Sequence, residues 1–145
     1  LSPDQDLFCS WERYGEPQPQ WGAEPWESVK PDKAIALCGI GQPQVFLAGV
    51  RRLVPMADAF VLADHEPFSK SVVQSLAQKC RERGISTIVT TKKDRARVGS
   101  KPKAWSEFRV YVLPHEIVLD QDGPRLLKWL QQEWKAHGFR VPLQL

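Results

Sequence analysis

Asp64, His65 and Glu66 end an apolar run, Val61-Leu62-Ala63, and stand just before Pro67-Phe68 and a new amphipathic stretch. Neighbouring carboxylates raise the pKa of an imidazole and hold its ring in one tautomer, which suits a general base near neutral pH. His65, with Asp64 beside it, is therefore the first candidate for proton chemistry. Two other short stretches carry different chemistry. Gly39-Ile40-Gly41-Gln42-Pro43 would let the backbone approach an anionic group closely, with Gly39 and Gly41 as the open positions. Thr90-Thr91-Lys92-Lys93-Asp94 offers hydroxyls at Thr90 and Thr91, a cation at Lys93 and an acid at Asp94. Each of the three has a plainer reading: a polar loop, a tight turn and a solvated basic face.

Other motifs are missing. Gln44 stands where a dinucleotide fingerprint would have its third glycine, and GxxxxGK followed by Ser or Thr does not occur in the sequence. His65, His115 and His137 are not spaced as paired ligands on one element, and Cys9, Cys38 and Cys80 form no CxxC, so no metal site is expected. Cys38 lies inside an apolar strand and reads as core, not as a nucleophile.

The elements that must position these loops follow from periodicity. Ala34 to Cys38 reads as a strand buried on both faces, followed by the glycine turn and a helix opened by Pro43, with Phe46, Val50 and Leu53 at helical spacing and Pro55 as a stop. Ala59 to Ala63 is a second strand. Ser69 caps a helix through Arg83 whose apolar face is Val72, Val73, Leu76, Ala77 and Cys80, with Gly84 at its end. Ile85 to Val89 is a third strand. Further strands are expected at 108–113 and 116–119, and Pro124 opens a last helix with a buried stripe of Leu126, Leu127, Leu130 and Trp134. Strands and helices in this alternation predict a three-layer α/β domain with a mostly parallel sheet and flanking helices. In such sheets ligands bind beyond the carboxyl ends of the strands, which brings the three loops to one edge.

Residues 1–32 differ from residues 33–145. Five prolines and three tryptophans occur there without a sustained period, which predicts an extended connector that drapes over the domain or packs against another body. With 145 residues, 42% of them hydrophobic, the rest is long enough for one domain with a real core. A net charge of +3 favours anionic ligands without announcing nucleic acid, and none is expected as a partner. The odd, scattered cysteines suggest a reducing compartment. No apolar run approaches the roughly 20 residues of a membrane span, so a soluble chain with at most peripheral membrane contact is expected. The sequence begins without Met, as a processed or excised piece would.

Taken in order, Cys38-Gly39-Ile40-Gly41-Gln42-Pro43 with Phe46, Asp64-His65 with Phe68 and Ser69, and Thr90-Thr91-x-Lys93-Asp94 resemble the C-terminal portion of the tetraacyldisaccharide 4′-kinases, over about residues 30–135. The resemblance implies the Rossmann-like lobe of a P-loop kinase that moves the ATP γ-phosphate onto the 4′ hydroxyl of the lipid A disaccharide precursor. It implies ATP and Mg²⁺ as cofactors of the full enzyme, held mainly by an N-terminal P-loop domain, and residues 1–32 as the connection between the domains. The site would lie at the cytoplasmic face of the bacterial inner membrane, with peripheral attachment. His65 matches the family histidine that helps activate the acceptor hydroxyl, and Asp64 the acid beside it. Gly39, Gly41, Thr90, Thr91, Lys93 and Asp94 match motif positions near substrate or phosphate. The chain departs from the family pattern at Ala63, Glu66 and Lys92, where Pro, His or an aromatic, and Glu are usual. From the residues alone, a stand-alone module for a nucleotide or anionic metabolite, or a plain interaction domain, is also open.

Overall fold

Ile35, Ala36, Leu37 and Cys38 are all fully buried, so the strand they form has no solvent face and must lie in the middle of a layered fold. The computed structural model describes residues 10–63, 66–119 and 122–138. Asp64 and His65 therefore lie outside the described residues. In chain order the elements are β1 (Trp11–Tyr14), β2 (Gln18–Gln20), α1 (Trp26–Val29), β3 (Ile35–Cys38), α2 (Pro43–Leu53), β4 (Asp58–Val61) and α3 (Lys70–Arg83). They continue with β5 (Thr87–Thr90), α4 (Lys92–Val98), a single 3₁₀ turn (Lys103–Trp105), β6 (Arg109–Val112), β7 (His115–Val118) and α5 (Gly123–Ala136).

Two compact units emerge. The larger, Tyr14–His115, holds a five-stranded sheet in the order β2-β6-β5-β3-β4. β3 runs parallel to both β4 and β5, β5 runs parallel to β6, and β2 joins β6 antiparallel. This is the mixed, mostly parallel sheet of a three-layer α/β fold. Alternation along β3 divides the core between its two sides. Ala34, Ala36 and Cys38 pack with Phe46, Leu47 and Val50 of α2 and with Trp26 and Tyr111. Ile35 and Leu37 pack with Leu76, Ala77 and Cys80 of α3 and with Ile88, Trp105 and Phe108. Trp105 is 1% exposed, and its indole N–H donates to the Val73 carbonyl at 3.0 Å, so the ring buries its large face without orphaning its polar atom.

The helix boundaries follow the sequence punctuation. Pro43 opens α2, and the Ser69 hydroxyl accepts the Val72 N–H at 3.3 Å to cap α3, a contact of about 1 kcal/mol. Gly84, at φ 63°, closes α3, and the next N–H, of Ile85, returns to the Cys80 carbonyl at 2.8 Å.

Residues 14–32 are packed onto the sheet. β2 is its antiparallel edge, Trp26 stacks edge-on against Tyr111 at 5.0 Å, and the Tyr111 hydroxyl donates to the Glu24 carbonyl at 2.8 Å. Arg95 lies 3.9 Å over the Trp21 ring and donates to the Gln20 side chain. Two of the three N-terminal tryptophans thus have partners within this unit.

The smaller unit draws its described residues from 10–13, 116–119 and 122–138. Its strand pair, β1 with β7, is separate from the large sheet, and Arg13 pairs with Glu116 at 2.8 Å. The strand expected at 116–119 therefore does not extend the main sheet. Pro114, which has no N–H to offer a ladder, separates it from β6. Leu126, Leu127 and Leu130 of α5 are half-buried and Trp134 is exposed, so the buried stripe expected there is not closed: none of the helix's described residues is buried. No helix of the described residues is long and apolar enough to cross a membrane.

Candidate functional site

The strand order fixes where a site is cheapest to build. From β3 the chain first moves to β4 on one side and then to β5 on the other, so the strand-end segments after β3 and β5 diverge above the sheet. Such a switch point opens a crevice in sheets of this kind. Here its walls are the turn at Gly39 and the start of α4.

Asp94 joins those walls. It is fully buried, with Oδ2 accepting the Gly39 N–H at 2.9 Å and the Thr91 hydroxyl at 2.8 Å, while Oδ1 accepts Arg97 Nη1 at 2.9 Å. A buried carboxylate without such partners would be unsustainable, and with them it becomes a joint between two loops. Thr91 also caps α4, taking the Asp94 N–H on its hydroxyl oxygen at 3.0 Å. One layer below, the Thr90 hydroxyl donates to the Leu37 carbonyl at 2.9 Å and ties β5 to β3. A Cβ at Gly39 would stand 3.0 Å from Arg97 Nη1 and 3.3 Å from Leu62 Cβ, so a larger residue there would press the Arg97 head and Leu62 aside by a few tenths of an ångström. At Gly41 an added Cβ meets nothing within 4 Å and φ is not positive; the fold sets no demand for glycine at that position.

The third loop joins the same cluster through its described residues. Glu66 closes on Ala63 twice, its N–H donating to the Ala63 carbonyl and its carboxylate accepting the Ala63 N–H, each at 2.9 Å. Arg97 donates to the Glu66 carbonyl and to the Gly39 carbonyl, and its guanidinium lies 5.1 Å from the Phe68 ring. The three loops do meet at one edge of the sheet.

Their residues divide into two groups. Gly39, Thr90 and Asp94 are buried and committed to the framework, and Thr91 is half-buried as a cap. Gly41 and Lys93 are exposed, as is Lys92. His65, the expected base, and Asp64 beside it fall outside the described residues. Sequence reasoning misses Arg97: Lys92, Lys93, Arg95, Arg97, Lys101 and Lys103 cluster within a dozen residues and read as a solvated basic run. Half of that run is structural: Arg95, Arg97 and Lys101 bind Gln20, Asp94 and the Phe108 carbonyl. The signal that could have found it is Thr91-x-x-Asp94, a capping box that announces α4 and turns Arg97 back toward its acid one turn on.

Burial pushes the Cys38 thiol up to about 11, with the Asp94 charge adding to the rise. Cys38 is therefore a neutral core group at physiological pH and no nucleophile. The implied Mg²⁺ does not fit this chain's described residues. No group of three His, Cys, Asp or Glu among them could hold a metal ion, and both oxygens of Asp94 are already engaged.

Known proteins resemble this chain along most of its length. The Rhodopseudomonas palustris (strain HaA2) protein named tetraacyldisaccharide 4′-kinase is 34% identical over 109 residues, which cover 74% of this chain and 31% of that relative. Proteins of the same name from Xanthobacter autotrophicus and Afipia carboxidovorans are 34% and 33% identical, over 70% and 68% of this chain. The chain thus spans about 30% of the length of these relatives. No solved structure matches it. The family pattern described as tetraacyldisaccharide-1-P 4′-kinase covers residues 12–135, and on that match the chain belongs to this family.

Proposed function

We propose that this chain is the C-terminal lobe of a lipid A 4′-kinase, the enzyme that transfers the γ-phosphate of ATP to the 4′ hydroxyl of the lipid A disaccharide precursor. The observation that carries the reading is the meeting of the three motif loops, around Gly39, Glu66 and Thr91, at one sheet edge in a member of this kinase family. ATP and Mg²⁺ are assigned to the N-terminal P-loop domain of the parent protein, and residues 1–32 to the connection that leads to it. An α5 with no buried residue among those described, in a chain whose match covers 31% of a relative, fits a lobe whose apolar surface is completed elsewhere. Attachment at the cytoplasmic face of the inner membrane is peripheral in this reading.

Within the lobe, His65 accepts the proton of the 4′ hydroxyl, with Asp64 favouring the protonated imidazole. Gly41 and Lys93, exposed beside the buried framework, are assigned to the vicinity of substrate or phosphate. Gly39, Thr90, Thr91 and Asp94 serve the same site by holding its walls. A free-standing nucleotide module has less support, because the Asp94 carboxylate and Arg97 Nη1 are already engaged between the loops.

The decisive experiment is His65→Ala in the parent enzyme carrying the P-loop domain. Loss of a general base should lower kcat by about 10²–10⁴-fold, with KM for ATP unchanged. Full activity in that variant would remove His65 from the mechanism. The chain by itself should show no ATP turnover.

A further inference from the structure

Arg97 differs from the other cations around it because one guanidinium serves several strand-end segments at once. Nη1 donates to Asp94 Oδ1 at 2.9 Å and to the Gly39 carbonyl at 3.3 Å; Nη2 donates to the Glu66 carbonyl; the Phe68 ring lies 5.1 Å away. A quarter of its side chain is exposed and none of the Asp94 side chain is. A long surface side chain samples many rotamers, but a planar fork held by a buried carboxylate is fixed in direction. We propose that Arg97 is a positioning residue: anchored by Asp94, it sets the place of the loop between β4 and α3 relative to the turn after β3.

The loop's own contacts do only part of this. The Leu62 N–H donates to the Cys38 carbonyl at 2.8 Å and holds the start of the loop to β3, whereas Glu66 and Ala63 bond to each other across three residues, which fixes local shape only. At the far end, Ser69 is tied into the start of α3. Beyond Leu62, the tie of Glu66 to the turn after β3 comes from Arg97, through α4 and the buried acid. Residues in a reacting cluster must be held to within a fraction of an ångström, and a misplacement of about 1 Å can cost on the order of 10²-fold in rate. The proposal rests on the kinase reading in one respect, namely that this loop carries Asp64 and His65 in sequence.

Arg97→Lys separates positioning from stability, since an ammonium is a point charge that can keep the Asp94 pair but cannot span Gly39, Glu66 and Phe68 in one plane. Amide hydrogen exchange on the chain itself reports the placement, and steady-state kinetics on the parent enzyme report its consequence. In R97K, exchange at Ala63 and Glu66 should rise at least about 10-fold while the Gly39 amide, held by Asp94, stays within about 3-fold of wild type. In the parent enzyme kcat should fall by roughly 10²-fold with KM for ATP unchanged. Arg97→Ala should raise exchange at all three amides. Unchanged exchange at Ala63 and Glu66 would overturn the proposal, as would an equal rise at Gly39 in R97K, or an intact kcat. If wild-type parent protein shows no kinase activity, the kinase reading fails while the exchange pattern still decides whether Arg97 places the loop.

Discussion

The two units answer the same demand, burial of apolar surface, to different degrees. The Tyr14–His115 unit encloses its sheet on both sides, with Trp105 and Tyr111 almost wholly out of water and a carboxylate, Asp94, buried among its own donors. In the other unit α5 is just as amphipathic in pattern, yet none of its described residues is buried, and Trp11, Ile117 and Trp134 stay 49%, 69% and 37% exposed. Equal patterning with unequal burial teaches that periodicity reports which face seeks a partner. It does not report whether the partner is in the same chain.

The contrast would break most visibly at Asp94. Asp94→Ala leaves the Gly39 N–H, the Thr91 hydroxyl and the half-buried Arg97 without their acceptor. Removing one member of a buried, hydrogen-bonded ion pair costs about 3–5 kcal/mol. Urea unfolding should show that loss for the larger unit. A change below about 1 kcal/mol would mean that water replaces the carboxylate freely and that the crevice is not closed.

A second test is pH. Burial pushes Cys38 and Cys80 up to about 11 from an ordinary 9.0, so the folded unit binds these protons more tightly than the unfolded chain does. The stabilisation is complete below pH 9 and is lost as pH rises through 11. A rise of this size corresponds to on the order of 2–3 kcal/mol for each thiol. Urea midpoints between about pH 8 and 11 should fall along this range. The double variant Cys38→Ala with Cys80→Ala should be less stable at about pH 8 and flatter above it, with a residual slope because Tyr111, also raised by burial, remains.

Much of the closed unit can be read from its residues. β3, α2 and α3 are bounded by Pro43, Pro55, Ser69 and Gly84, and each of these acts through backbone chemistry that operates before any packing. α4 escapes such a reading because Lys92 to Val98 offers no apolar stripe, and its capping box is a pattern of two residues in a polar run. β2 escapes for another reason: Gln18-Pro19-Gln20 has no alternation, and only the free edge of β6 makes it a strand. Asp94 is legible as an acid among cations and illegible as a buried one, since burial is decided by Gly39, fifty-five residues earlier. The meeting of three loops follows from topology, whereas the assignment of Gly39, Thr90 and Asp94 to the framework requires the contacts themselves.

Thr87 marks a smaller flaw inside the closed unit. Its hydroxyl is buried and, among the described residues, has no hydrogen-bond partner. Thr87→Val removes that orphan and keeps the β-branched shape suited to β5. A gain of about 0.5–1.5 kcal/mol is expected from the relieved desolvation penalty, read as a higher urea midpoint. A loss would reveal an acceptor or an ordered water that needs the hydroxyl.

The smallest effect is expected in the open unit and is the most informative about it. Trp134→Ala at an exposed site of α5 should change the stability of this chain by less than about 0.5 kcal/mol, against several for core positions such as Trp105. If a second body covers α5 in the parent protein, as proposed, the same substitution there should cost more, because a covered tryptophan loses both its apolar area and its fit. The difference between the two measurements is the burial that α5 gains outside this chain. A loss above about 2 kcal/mol in the chain alone would show that the helix already has its apolar partner. The contrast between the units would then reduce to one of size.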